Sequence, residues 1–144
     1  MTQPMQHGPA SRRHPQVYAT IGLETQVLGA GREHLITLLF DGARAALVKA
    51  RLHMESNHVA QRGAAISTAI EIIETGLMAS IDHEAGGELA TNLAAIYGMI
   101  IRNLLWANLN VDVEKLDLAR HLLDEIGDAW RIAAATARGG PGAP

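Results

Sequence analysis

Apolar residues return every three or four positions in four successive stretches between Arg32 and Ala134, and no stretch alternates with the two-residue period of a strand. A chain patterned this way must bury one stripe of each helix against the others, which leaves helix-on-helix packing as its architecture. The stretches are matched in length, about 20 residues or ~30 Å each. Short connections between matched helices make sequential neighbours antiparallel. The expected fold is all-α: an antiparallel up-down four-helix bundle with an N-terminal arm.

The first helix is expected from about Arg32 to Met54. Leu35, Leu38, Leu39, Gly42, Ala46 and Ala50 fall on one face, widened by Ile36, Phe40, Ala43 and Leu47. Asn57 is a plausible N-cap for a second helix, His58 to Ile81, with the stripe Ile66, Ile70, Ile73, Leu77 and Ile81. Gly86-Gly87 then breaks the chain. The third helix runs from about Glu88 to Leu109 with Leu89, Leu93, Ile96, Tyr97, Ile100, Leu104 and Ala107 on one side. Asp112 caps a fourth, lined by Leu116, Ala119, Leu123, Ile126, Trp130 and Ala133 and ending near Ala134. Residues 1–17, with Pro4, Pro9 and Pro15, read as a flexible leader, 18–134 as the helical domain, and 135–144 as a disordered tail.

Composition narrows the function. Hydrophobic residues make up 48% of the 144, which favours a packed core over disorder. A net charge of −3 provides no broad basic face for nucleic acid. The absence of cysteine excludes disulfides, thiolate metal sites and cysteine nucleophiles. The leader has basic residues but no apolar run behind them, so it does not read as a secretory signal. No apolar stretch approaches the ~18 residues of a membrane span. No cofactor or nucleic-acid partner is expected, and the lack of cysteine fits a reducing compartment.

Chemistry-bearing patterns are weak. His83-Glu84 lacks the second histidine of a His-Glu-x-x-His helix, and His53 and His58 straddle an expected helix end. No Glu-x-x-His pair repeats as a di-iron bundle requires. Asp82, Glu84 and Glu88 flank a Gly-Gly turn and read as a solvated loop rather than acid/base machinery.

The third helix is the exception to ordinary patterning. Between Glu88 and Leu109 its only charges are Glu88 and Arg102, and Ala94, Ala95, Met99, Ile101, Leu105 and Trp106 lie beyond the main stripe. A helix apolar nearly all round needs its second face covered, by an N-terminal segment, another subunit or a client helix. Scattered exposed apolar side chains over a thick core are the plainer alternative. Tyr18, Ile21, Leu23, Val27 and Leu28 supply apolar anchors in the arm, which either occupies that groove in the free protein or packs permanently on the bundle.

Several blocks, in order, resemble the FliS-type flagellar secretion chaperones. They are Leu35-Ile36-Thr37-Leu38-Leu39-Phe40-Asp41-Gly42-Ala43, Ala69-Ile70-Glu71-Ile72-Ile73, Leu77 through Asp82, Gly86-Gly87-Glu88-Leu89-Ala90-Thr91-Asn92-Leu93, Leu104-Leu105-Trp106-Ala107-Asn108, Leu122-Leu123-Asp124-Glu125-Ile126 and Asp128-Ala129-Trp130. The likeness spans about Tyr18 to Ala133. It implies a bacterial, cytoplasmic, non-enzymatic helical bundle. Such a bundle binds the disordered C-terminal segment of flagellin, keeps it from polymerising, and assists its delivery to flagellar export apparatus components. It also implies an arm whose tyrosine, matching Tyr18, covers part of the client surface. The sequence departs from the family at Gly29-Ala30-Gly31, at Phe40 for a frequent tyrosine, at Val111 for a common asparagine, and at Gly127 for a frequent basic residue.

On this reading Tyr18, Ile21, Ile36, Leu47, Tyr97, Ile101, Leu105 and Asn108 are expected to meet the client. Asp41, Asp112, Leu93, Ile100 and Trp130 are expected to be structural, Asp41 through a partner such as Arg102 or Asn108. Asn108 and Asp112 also suit the turn between the last two helices. A structural subunit of a constitutive oligomer, a homodimer included, fits the same apolar surplus.

Overall fold

The computed structural model describes the backbone of residues 28–139 and the side chains of 31–137. Its elements are α1 (Leu28–Glu55), α2 (Val59–Glu71), α3 (His83–Asn110) and α4 (Val113–Gly139). α2 continues into a π-helical turn, Ile72–Leu77, and a 3-10 turn, Met78–Ser80. The leader, Tyr18 and Ile21 lie outside the described residues. α1 begins in a small N-terminal unit that ends at Leu35; the larger unit, from Ile36 onward, holds the core and is described by itself.

Side-chain pairs fix the directions of the helices. Arg44 reaches Asp124 and Arg51 reaches Asp117, so α4 runs back along α1. Leu39 rests on Gly76 and Ile72 on Gly42, so the second rod is also antiparallel to α1. Arg62, at the start of α2, meets Asn108 near the end of α3. A two-residue turn then returns the chain into α4. Each helix is thus antiparallel to the next, and the fourth closes on the first: the four-helix up-down bundle expected from the periodicity.

The core is made where the stripes meet. Leu47, Ile66, Ile73, Ile100, Leu104, Leu116 and Leu123 are fully buried. Each side chain of this size contributes roughly 1.5–3 kcal/mol by leaving water. Ala43, Ala50, Ala69, Ala107 and Ala119 sit between them at zero exposure and let the helices approach closely. On α1 the buried line is Ile36, Phe40, Ala43, Leu47, Ala50 and Met54, whereas Leu38 is exposed. The buried stripe lies one row round from the expected one, because both rows are apolar. On α3, Leu89 is exposed for the same reason and Ala90 takes the buried place.

The helix ends differ from expectation in instructive ways. Asn57 is not an N-cap. It adopts the left-handed conformation (φ 59°) just past α1, with His58 N–H donating to His53 O at 2.9 Å and Asn57 N–H to Met54 O at 3.3 Å. That paired pattern satisfies the orphan carbonyls at a helix C-terminus, and asparagine is among the few residues that adopt the required backbone readily. α3 ends the same way, with Val111 left-handed (φ 51°) and Asp112 N–H donating to Ala107 O at 3.0 Å.

Asp112 does cap α4: its Oδ1 accepts from Glu114 N at 3.1 Å and Lys115 N at 3.2 Å. α4 itself runs to Gly139, past the expected end near Ala134 and into the stretch expected to be tail. At the start of α3, Asp82 accepts from Ala85 N at 3.0 Å, and a single helical turn precedes Gly87. Gly87 (φ 54°, ψ −126°) departs from the helix, so the expected break is a kink rather than a loop.

Candidate functional site

α3 has two sides of opposite use. Tyr97, Ile100, Leu104 and Ala107 point inward. On the outer side Met99, Leu105, Trp106 and Leu109 are exposed, Leu109 at 81%. Leu105 and Leu109 are four residues apart and share a face, and Ile101, half-buried against the core, extends that row by one turn. Met99 and Trp106, seven apart, form a neighbouring row. Arg102 is exposed between them. The Trp106 indole N–H donates to Asp112 Oδ2 at 3.3 Å, which fixes the ring over the α3–α4 turn while leaving it half exposed. The apolar surplus of this helix is therefore surface and not hidden core.

The expected client residues separate accordingly. Leu105 stands on the outer face and Ile101 on its flank. Ile36, Leu47 and Tyr97 do not: they are buried, Leu47 completely, and belong to the bundle's own packing. Burial also raises the Tyr97 phenol pKa above its ordinary value of 10.0. Asn108 is engaged within the bundle. Its Oδ1 accepts from Arg62 Nε at 2.9 Å and its main-chain oxygen from Arg62 Nη2 at 3.2 Å.

The residues expected to be structural are placed as follows. Ile100 is fully buried, Leu93 is partly buried against the core, and Asp112 is a cap. Trp130 packs on the core and its indole N–H donates to Thr37 Oγ1 at 3.2 Å. Asp41 is exposed, and the Asn108 offered as its partner is taken by Arg62.

Other features were not foreseen. Arg62 is the buried charged side chain among the described residues, and its fork lies at the C-terminal end of α3, where free carbonyls and the helix dipole favour a cation. The seam between α1 and α4 is polar. Arg44 binds Asp124 at 2.7 Å and Asp128 at 2.9 Å, and Arg51 binds Glu55 at 3.1 Å and also Asp117. Burial disfavours the Arg44 charge, but the bonds to Asp124 and Asp128 outweigh it and its pKa is raised. Seven-residue spacing of arginines against aspartates could have signalled this seam; nothing local in the sequence marks Arg62 as buried. A second exposed apolar row, Leu38, Ala45, Val48 and Leu52, lies on the outside of α1. No helix among the described residues is long and apolar enough to cross a membrane.

The family model described as flagellar protein FliS matches residues 14–137. The flagellar secretion chaperone FliS of Salmonella typhimurium is 46% identical over 116 residues, 81% of this chain and 86% of its own length. The protein of the same name in Escherichia coli is 45% identical over 116 residues, 81% of this chain and 85% of its own. The flagellar secretion chaperone FliSB of Pseudomonas aeruginosa is 39% identical over 113 residues, 78% of this chain and 89% of its own. With the family's model covering most of its length and a bundle of four helices beneath it, this chain belongs to the FliS family of flagellar proteins.

Proposed function

We propose that the protein is a cytoplasmic flagellar secretion chaperone, without catalysis, that binds the disordered C-terminal segment of flagellin and assists its delivery to export apparatus components. The carrying observation is the outer side of α3, where Met99, Leu105, Trp106 and Leu109 are exposed on a helix whose other side is core. Helical spacing of these side chains matches the i, i+3, i+4, i+7 anchors of an amphipathic client helix. A disordered client loses conformational entropy on docking, so several anchors must act together. Membership of the FliS family supports a flagellar client, and the choice of flagellin's C-terminal segment rests on the resemblance drawn from the sequence.

The test is titration of the chain with a flagellin C-terminal peptide, using Ile101→Ser with Leu105→Ser beside the unaltered protein. Each anchor contributes about 1.5–3 kcal/mol before ordering costs. The double change should therefore weaken binding strongly, with Leu105 costing the fold little because it is half exposed. Full-strength binding by a folded double variant would move the client surface elsewhere.

The second reading, a homodimer, is favoured by the α1 row, where Leu38, Ala45, Val48 and Leu52 are exposed along one side. Sedimentation across a concentration series separates it from the first. A constitutive dimer survives dilution and dissociates in a Leu38→Glu, Leu52→Glu variant.

A further inference from the structure

The turn between α1 and α2 brings together two imidazoles that the sequence leaves five residues apart. His53 Nδ1 lies 3.2 Å from His58 Nδ1, with ring centroids 5.4 Å apart and planes at 47°. We propose that this pair is a binding site for a late first-row divalent metal ion, of the Zn2+ or Cu2+ type, with the two Nδ1 atoms as its protein ligands.

The backbone builds the pair. His53 contributes the carbonyl, and His58 the N–H, of the 2.9 Å hydrogen bond that closes α1, with left-handed Asn57 between them. In this helix-ending motif the side chains of those two positions meet, usually as an apolar contact. Here both are histidines, so the same geometry makes two nitrogen donors converge. The turn holds them together before any ligand arrives, which removes much of the ordering cost of chelation.

The separation fits a shared cation. Metal–nitrogen bonds of about 2.0–2.1 Å at a tetrahedral angle put two donor nitrogens roughly 3.3 Å apart. At this distance one neutral ring donates an Nδ1–H to the acceptor Nδ1 of the other, so the two nitrogens already share one proton site. A divalent ion takes the place of that proton with both rings as ligands. His58 is exposed and His53 partly so, which leaves a path from solvent. No group of three or more metal-ligating side chains occurs among the described residues, so water completes the coordination and the ion exchanges freely with bulk. Imidazole, rather than carboxylate, donors select Zn2+, Cu2+ or Ni2+ over Mg2+ and Ca2+.

The experiment is calorimetric titration of the full chain with Zn2+ near pH 7.5, together with long-range proton–nitrogen spectra of the histidine rings. The expected result is one saturable site whose filling shifts the ring nitrogens of both His53 and His58. His53→Gln and His58→Gln should each weaken it by about tenfold or more, since losing even an outer-sphere partner typically costs about 10–100-fold. His83→Gln and His121→Gln, at other exposed positions, should leave it unchanged. Absence of saturable binding up to about 1 mM, far weaker than histidine-containing zinc sites, overturns the proposal. So does binding retained in either of the first two variants, or zinc-dependent shifts confined to other histidines. The ring spectra of the unaltered protein decide the matter even if a variant folds poorly.

Discussion

The ring of Phe40 lies against the backbone of Gly127, so close that a Cβ on that glycine would stand 3.1 Å from Phe40 Cδ1. On the resemblance drawn from the sequence, both positions are departures, phenylalanine for a tyrosine and glycine for a basic residue. The two departures face each other where α1 meets α4. Phe40 is only 3% exposed, so its ring has nowhere to retreat.

Gly127→Ala should therefore destabilise the bundle. Alanine gains about 1 kcal/mol of helix propensity over glycine. Overpacking a close contact costs about 1–3 kcal/mol. We expect a net loss of roughly 1 kcal/mol, read as a lower urea midpoint at unchanged slope. A rise in midpoint would show that Phe40 can shift after all.

Arg62 offers a second test. It is buried and tied to both oxygens of Asn108, so it joins the start of α2 to the end of α3. Arg62→Ala removes hydrogen bonds from a charged donor, worth about 1.5–3 kcal/mol, and leaves Asn108 unsatisfied. Arg62→Met keeps the aliphatic stem and should recover part of that loss. Equal melting temperatures for the two variants would mean that packing contributes nothing at this site.

Val111 offers the opposite sign. It holds a left-handed conformation (φ 51°, ψ 50°) that a β-branched residue tolerates poorly, and it is half exposed. Val111→Asn or Val111→Gly should stabilise the protein by about 1 kcal/mol, the cost of the left-handed backbone for a residue with a branched Cβ. A higher midpoint in thermal or urea unfolding checks it.

Tyr97 makes stability fall in alkali. Burial raises its pKa in the folded state above 10.0, while the unfolded chain keeps the ordinary value. The unfolded state therefore loses its proton first, and the contribution present below pH 10 is lost as pH climbs toward the folded value. The slope approaches about 1.4 kcal/mol per pH unit for one group. Denaturation curves between pH 9 and 11 should show that fall in the unaltered protein and a shallower one in Tyr97→Phe.

The bundle was legible because its signal is repetitive: every buried residue of α2 and α4 repeats the helical period, and Asp112 announces a cap. The rotation of α1 and α3 was harder. Leu38 and Leu89 compete with Phe40 and Ala90 for the core, and periodicity cannot choose between two apolar rows. Ile36 and Leu47, on the flank of the expected α1 stripe, are part of the buried line for that reason. Pairings across helices, such as Arg62 with Asn108, depend on the register between rods and leave no local trace. The His53–His58 contact had one, an asparagine between residues spaced for a helix-ending turn. With Asn57 read as the cap of the following helix, the two histidines only straddle a helix end; as the left-handed residue closing the preceding one, it brings them together.

The two ends of α3 are anchored unequally. Its C-terminal end is held by Arg62, by the Trp106–Asp112 bond and by a closed backbone turn. Its first turn is capped by Asp82 before the chain swivels at Gly87, and the next two residues, Glu88 and Leu89, are exposed before Ala90 is buried. Amide protons should register this as a gradient. Those near Gly87–Leu89 exchange with solvent by local fraying, while those around Leu104–Ala107 exchange only when the whole domain opens. A client seated on Leu105 and Leu109 would thus rest on the part of the helix that yields last.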